Sequence, residues 1–189
     1  MTEDLFRLFK SQLDRQSQSM RNLPPVKEWA TPLCGDIDIV INRHGKWLHE
    51  GTEIRRTSLI KFFSSLLLKE GRDYFLITPE EKWRITVELA PFLITQAHHA
   101  FEAEHQIISL STYTGEIIVI GNDHPIWIDY EEGSVEPIPL VLVRDGMTGL
   151  LNRNVFYQLV SWGTQKGQPS RLILDSMGVK FDLGISESP

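Results

Sequence analysis

The sequence predicts an α+β fold made of two modules with mostly antiparallel sheets. Short alternations of apolar and polar residues, typical of strands, recur along the chain, and two amphipathic segments have helical spacing. A pattern in the first half also returns 101 residues later. A chain of 189 residues fits one large domain or two small ones. We divide it into an N-terminal helical arm, 1–22, an α+β module, 23–89, and a strand-rich module with one helix, 90–189.

The arm is predicted to be a helix over residues 3–21. Its apolar residues recur at steps of three and four, which places them on one face: Leu5, Leu8, Phe9 and Leu13. Pro24 and Pro25 end this pattern. The arm either packs on its own fold or contacts a second copy, so a homodimer is among the partners that the sequence allows.

The first module starts with a strand, because isoleucines alternate along residues 37–41. A turn at 43–45 and a returning strand at 46–49 follow. An apolar stripe predicts a helix over 57–69, with Thr57 or Ser58 as its N-cap. Two further strands are predicted at the following ranges: 73–78 and 83–89.

The second module is richer in strands, separated by glycine-containing turns. The predicted strands are 92–104, 106–111, 116–120, 125–130 and 138–144. A helix is predicted over 152–163, and a closing hairpin over 171–175 and 179–183.

The internal repeat relates residues 37–45 to residues 138–146. Apolar residues match at four positions, and an arginine and a glycine follow in both copies. Each copy continues with an arginine near a helix start, an amphipathic helix and two strands. We interpret this as a duplicated strand-turn-helix-strand-strand unit. Two helix-backed sheets side by side would leave a cleft, and clefts between domains are preferred places for ligands.

Composition narrows the classes of partner. The net charge of −6 gives no general attraction for phosphate backbones, so no nucleic acid polymer is expected. A lone cysteine, Cys34, cannot form an internal disulfide and fits a reducing compartment. No apolar run reaches the ~18 residues that span a bilayer, and the N-terminus lacks a signal-peptide pattern. We therefore expect a cytoplasmic protein with no membrane partner.

Cationic residues near helix starts and turns are the main candidates for ligand binding. Arg55, Arg56 and Thr57 precede or begin a helix, where guanidinium groups and backbone N–H groups suit a phosphate or carboxylate. The alternative is that one arginine pairs with Glu53 or Glu81 while the other is solvated. Arg43 and Arg144, at equivalent turns of the repeat, either contact a ligand or hold their own turns. The full set of candidates is Arg43, Arg55, Arg56, Thr57, Thr78, Glu81, Lys82, Phe92, Arg144 and Arg153.

No catalytic residue emerges from the sequence. A phosphate-binding glycine-rich loop, a dinucleotide fingerprint, a hydrolase elbow and a kinase motif set are all missing. The histidines and glutamates between 98 and 105 have no recognised metal spacing, so neither a metal nor a cofactor is expected. A non-catalytic binding protein is favoured, with an enzyme of unrecognised site as an alternative.

Several segments resemble one known family. They are Cys34–Ile37, Gly45–Trp47, Gly51–Arg56, Leu59–Phe63, Thr78–Lys82, Val87–Phe92, Arg153–Val160 and Gly178–Gly184. They resemble the proteobacterial family called domain of unknown function 1285 (DUF1285) over residues 24–184.

The resemblance implies two modules with an internal repeat and a second module superficially similar to pleckstrin-homology folds. It also implies signal transduction, with a nucleotide-like ligand at the domain interface and a signalling protein as a partner. His44 stands where the family usually has an acidic residue, which changes the charge of that turn. A protein–protein interaction scaffold without a small ligand remains the alternative function.

Overall fold

The computed structural model describes residues 23–102, 105–167 and 170–185. These residues form two compact units, one of 23–40 with 47–86 and one of 41–46 with the described part of 87–189. Both units are built mainly from strands, and each contains one α-helix within its described part: α1, Thr57–Ser65, and α2, Arg153–Trp162. The predicted α+β class with two sheet modules is confirmed. The helix predicted over 3–21 lies outside the described residues.

The first unit contains one six-stranded sheet. Its strands are β1 (Leu33–Ile41), β2 (Trp47–His49), β3 (Thr52–Glu53), β4 (Leu67–Glu70), β5 (Asp73–Ile77) and β6 (Lys82–Val87). Their order in the sheet is β3-β2-β1-β6-β5-β4. A short 3-10 turn at Val26–Glu28 precedes β1, and Val26 packs with apolar side chains of β4 and β5.

Helix α1 is shorter than the sequence pattern predicts. It ends at Ser65, and β4 pairs antiparallel with β5, with Leu67 opposite Leu76 and Leu68 opposite Phe75. An apolar run such as Leu66–Leu68 fits a buried helix or a buried strand equally well, so only the pairing partner decides. The predicted cap is also wrong, because Arg56 is the N-cap residue and no side chain caps the helix.

The second unit contains two sheets among its described residues. The strands of the larger sheet are β7 (Phe92–Glu102), β8 (His105–Thr112), β9 (Ile117–Val119), β10 (Ile126–Tyr130), β11 (Pro137–Arg144) and β12 (Met147–Leu151), in the order β10-β11-β12-β7-β8-β9. The smaller sheet has the order β13-β14-β15, with strands Thr164–Lys166, Arg171–Ser176 and Val179–Ile185. β12 pairs parallel with β7, while the other pairings with a determined register are antiparallel.

A buried serine ties the two sheets of the second unit together. Ser176 is fully buried, and its Oγ accepts the Ile108 N–H at 3.1 Å and donates to the Ile120 carbonyl at 2.8 Å. Gln106 Nε2 also donates to the Asp175 carbonyl at 2.9 Å. These bonds hold β14 against β8 even though the two strands belong to different sheets.

The order of the elements matches the predicted repeat in part. A strand, a turn and a returning strand precede the helix in both copies, with the short β3 added in the first copy. Three strands follow each helix, where the sequence pattern predicted two. The sheet pairing differs, because β1, β2 and β4 to β6 all join one sheet in the first copy. In the second copy β11 and β12 join the larger sheet, and β13 to β15 form the smaller one.

No helix within the described residues is both long and apolar enough to cross a membrane.

Candidate functional site

The second unit contains a cleft of about 680 Å³ with polar and aromatic lining. Its walls come from the turn after β1, the segment between β6 and β7, the start of β7, the loop after β10, the start of β11, the end of β12 and the first turns of α2. The lining residues are Arg43, His44, Leu89, Leu93, Glu131, Ser134, Glu136, Pro137, Ile138, Pro139, Leu150, Leu151, Asn152, Arg153, Phe156 and Tyr157.

Arg43 is held in the cleft wall by a turn with a fixed backbone. The side-chain oxygen of Asn42 accepts the N–H groups of His44 and Lys46, each at 3.0 Å. Gly45 has φ of +75°, and a Cβ there would lie 2.8 Å from the Cβ of Leu93, so this position requires glycine.

Two carboxylates contact Arg43. Its backbone N–H donates to Glu88 Oε2 at 2.8 Å, and its guanidinium group pairs with Glu131 on the loop after β10. The two side chains of the ion pair are 48% and 52% exposed, respectively, so water screens this attraction.

Arg153 is the first residue of α2. Asn152 is the N-cap, and its Oδ1 accepts the Val155 N–H at 2.8 Å, which fixes the start of the helix beside the cleft. Arg153 is exposed and has neither a hydrogen-bond partner nor an ion-pair partner among the described residues. A guanidinium group next to the positive end of a helix dipole suits a phosphate or carboxylate group.

Aromatic rings line the same part of the cleft. Phe156 is half-buried, Tyr157 is 57% exposed, and their ring centroids lie 6.4 Å apart at an angle of 35°. Such rings provide faces on which a flat heterocycle can stack. Glu131 and Glu136 contribute negative charge, so the formal charges of the lining arginines and glutamates cancel.

Arg144 and Phe92 lie outside the lining of this cleft. The Arg144 side chain is only 13% exposed, and its Nε donates to Glu116 Oε2 at 2.9 Å. Its guanidinium carbon lies 5.0 Å from the centre of the Phe92 ring, and Phe92 is 2% exposed. Arg144 therefore packs as a cation over a buried ring and ties its turn to Glu116, just before β9. The roles of Arg144 and Phe92 in ligand binding stay predictions.

The remaining candidates belong to the first unit. Arg55 and Arg56 are exposed at the start of α1, where Arg56 Nε donates to Ser58 Oγ at 3.0 Å, and Thr57 follows them as the first helical residue. Their role in ligand binding stays a prediction.

The turn before β6 is braced by its own side chains. Thr78 is buried, and its Oγ1 accepts the Glu81 N–H at 2.9 Å. Glu81 Oε2 accepts the indole N–H of Trp83 at 3.3 Å. Lys82 Nζ lies 2.6 Å from Glu70 Oε2 and 4.4 Å from the centre of the Phe75 ring. These bonds give Thr78, Glu81 and Lys82 structural partners within the first unit.

Of the ten predicted residues, the structure therefore brings Arg43 and Arg153 into one cleft. Sequence reasoning did not select the other polar and aromatic residues of this cleft: His44, Glu131, Ser134, Glu136, Asn152, Phe156 and Tyr157. Asn152 could have been found from its type and its position just before a predicted helix. Glu131 carries no comparable local signal, because its contact with Arg43 spans 88 residues of sequence.

No group of three or more histidine, cysteine, aspartate or glutamate side chains in the described ranges is arranged to hold a metal ion.

Comparisons with known proteins give the family but no activity. The family model for the N-terminal domain of DUF1285, a domain of unknown function, matches residues 24–90. The model for the C-terminal domain of DUF1285, a protein of unknown function, matches residues 91–183. No curated protein matches the sequence.

Two solved structures are similar to this chain. The first is a DUF1285 family protein from Silicibacter pomeroyi DSS-3, with 33% identity and a TM-score of 0.81 over 93% of this chain and 96% of that one. The second is a DUF1285 family protein from Shewanella baltica OS155, with 28% identity and a TM-score of 0.51 over 66% of this chain and 91% of that one. The two domain models and the first relative, which covers nearly the whole chain, agree, so this protein belongs to the DUF1285 family.

Proposed function

We propose that this protein is a non-catalytic signalling module that binds a nucleotide-like anionic small molecule in the cleft of its second unit. The observation that carries the proposal is Arg153, a guanidinium group without a partner among the described residues, at the start of α2 and on the wall of a cleft of about 680 Å³. A cleft of that size fits a nucleotide-sized ligand.

The chemistry of the two ends of a nucleotide matches two parts of the cleft. The phosphate would bind Arg153 and the N–H groups at the start of α2, because both favour an anion. The base would stack on Phe156 or Tyr157, which follow Arg153 in α2 by about one helical turn. Arg43 would add a second guanidinium group.

The carboxylates in the cleft limit the charge of the ligand. Glu131 and Glu136 balance the two arginines, so the lining exerts little long-range attraction on a polyanion. We therefore expect a ligand with one or two phosphates to bind more tightly than a triphosphate.

The sequence-based prediction of a ligand at the domain interface, involving Arg55, Arg56 and Thr57, is a competing location for the same ligand. Both locations place an exposed arginine at the start of a helix, so the two arginines make a matched pair of variants. Arg153→Gln and Arg56→Gln change the charge equally, one in each unit.

The experiment is a melting-temperature panel of nucleoside mono-, di- and triphosphates, followed by calorimetric titration of any stabilising compound. Arg153→Gln is expected to weaken binding about tenfold or more, since hydrogen bonds to a charged group are worth about 1.5–3 kcal/mol. Arg56→Gln is expected to bind like the wild type. Weakening by Arg56→Gln alone would move the site to the first unit, and stabilisation by no nucleotide would contradict the proposal.

A second candidate function is protein interaction through a sheet edge. β9 is an edge strand of the larger sheet in the second unit, and its Ile117 is 72% exposed. Exposed edge strands with apolar side chains are places where another chain can add a strand. This candidate gains weight if the panel yields no ligand. Chemical turnover of a stabilising compound would instead indicate an enzyme.

A further inference from the structure

We infer that Glu131 is a built-in competitor for the anion in the cleft, and that a bound ligand displaces it from Arg43 and releases the loop 131–136. This inference rests on the proposed function, because it concerns how the same cleft is regulated. Its physical basis is that the carboxylate of Glu131 already forms an ion pair with Arg43, whose guanidinium group lines the cleft.

One side of this ion pair has a fixed backbone. The turn that carries Arg43 is closed by two hydrogen bonds to Asn42, and the Arg43 N–H is bound by Glu88. Gly45 packs against Leu93 with no room for a side chain. An incoming anion would therefore meet a guanidinium group whose backbone does not need to move.

The other side of the pair is a solvated loop. Residues 131–136 lie between β10 and β11 and are all exposed, and Gly133 adopts φ of +76° with open space around it. The loop has its own weak order, because the Ser134 N–H donates to the Glu131 carbonyl at 2.9 Å and the Glu136 N–H donates to Ser134 Oγ at 3.1 Å. Replacement of Glu131 by a ligand anion on Arg43 would thus move the loop 131–136 and leave the turn at 43–45 in place.

The exposure of the pair makes the exchange feasible. Ion pairs about half exposed contribute little to stability. Glu131 contacts Arg43 through one oxygen, whereas a phosphate can make two parallel charge-assisted hydrogen bonds to one guanidinium group. Release of the loop would also change the surface around Val135, which is 93% exposed. Ligand binding inside the cleft would in this way alter a surface outside it, as a signalling module requires.

The chain offers a matched control next to the test residue. Glu132 is adjacent to Glu131, exposed and outside the cleft lining, so Glu131→Ala and Glu132→Ala change the charge of the same loop equally. The probe is inorganic pyrophosphate, titrated by calorimetry at one ionic strength. Glu131→Ala is expected to bind it about two- to fivefold more tightly than the wild type, and Glu132→Ala is expected to match the wild type.

A second measurement follows the amides of the loop, first without ligand and then with it. Hydrogen exchange of the Ser134 and Glu136 amides is expected to be faster in Glu131→Ala than in the wild type and Glu132→Ala. Addition of pyrophosphate to the wild type is expected to speed the same two amides.

The outcomes separate this inference from the proposed function. Equal affinity in all three proteins, weaker binding by Glu131→Ala, or unchanged exchange of the loop amides would overturn the role of Glu131 while leaving the binding site standing. Failure of pyrophosphate to bind any of the three proteins would overturn both the competitor role and the phosphate-binding mode of the cleft.

Discussion

Helices α1 and α2 occupy equivalent places in the repeated order of elements, yet they are buried to very different extents. α1 buries five of its nine residues, including Phe63 at 0% exposure, whereas α2 buries two of its ten, Val155 and Leu159. The residues that α2 leaves partly or fully accessible include Arg153, Phe156 and Tyr157, which line the cleft. The same local unit therefore serves mainly as core in the first unit and as the wall of a candidate site in the second.

The equivalent arginines of the repeat differ in the same way. Arg43 is 48% exposed and pairs with a carboxylate on a solvated loop, while Arg144 is 13% exposed and packs over Phe92. Equivalent positions of the repeat thus carry a half-exposed guanidinium group in one copy and a largely buried one in the other.

The largest expected effect tests the burial of the two helices. Phe63→Ala is expected to lower the free energy of unfolding by about 3–5 kcal/mol, because it leaves a cavity beside Trp47, whose ring stacks on Phe63 at 6.0 Å between centroids. Phe156→Ala truncates a half-buried side chain of α2 and is expected to lower the free energy of unfolding clearly less. Urea unfolding of both variants measures the difference, and equal losses would break the comparison.

The two arginines give the next largest effect. Arg144→Ala is expected to lower the free energy of unfolding by about 1.5–3 kcal/mol, because Glu116 then loses its charged partner in a largely buried position. Arg43→Ala removes an exposed pair and is expected to cost less than about 1 kcal/mol. Denaturant unfolding at low and moderate salt would check this order, and a larger loss for Arg43→Ala would refute it.

The first turns of the two helices differ in their side-chain capping. Asn152→Ala removes the side-chain cap of α2 and is expected to cost about 1 kcal/mol. Arg56→Ala removes no cap from α1, since Arg56 makes none, and is expected to change the free energy of unfolding much less. Thermal unfolding monitored by circular dichroism would show whether the two changes differ.

The smallest expected effect is on the pH dependence of the protein's stability. The hydrogen bond from Arg171 holds the pKa of Asp182 below its ordinary value, with help from the Gly184 N–H, whereas in the first unit burial raises the pKa of Tyr74. A carboxyl group whose pKa is lower in the folded state stabilises the fold at pH values above its unfolded-state pKa of about 3.9. That contribution is lost as the pH falls through the folded-state pKa. Because the Arg171–Asp182 pair is exposed, the pH-dependent change in the free energy of unfolding is expected to be small.

The matched variants for this effect are Asp182→Asn and Arg171→Gln. Each is expected to flatten the fall in melting temperature below about pH 4 relative to the wild type, because each removes the same pair. Unchanged acid sensitivity in both variants would show that this pair does not contribute.

Most helices and strands were predicted from local patterns, because the spacing of apolar residues that marks them involves only residues close together in the sequence. The isoleucines of β1 and the polar residues around α2 marked those elements and their ends within a few positions. The strand β12, Met147–Leu151, was missed because Thr148 and Gly149 interrupt its apolar run. A side chain at Gly149 would crowd its neighbours, since a Cβ there would lie 2.9 Å from Ile94 Cδ1.

Local amino-acid patterns were enough to predict the α+β class, both described helices with most of the strands around them, the family resemblance and the candidates Arg43 and Arg153. The folded structure was needed to show that β4 is a strand, that the second copy divides between two sheets, and that Arg43 shares a cleft with Arg153 and an ion pair with Glu131. The reason is that periodicity records which face of an element is apolar. Strand pairing and the meeting of distant charges depend on contacts between residues far apart in the chain, which leave no local signature.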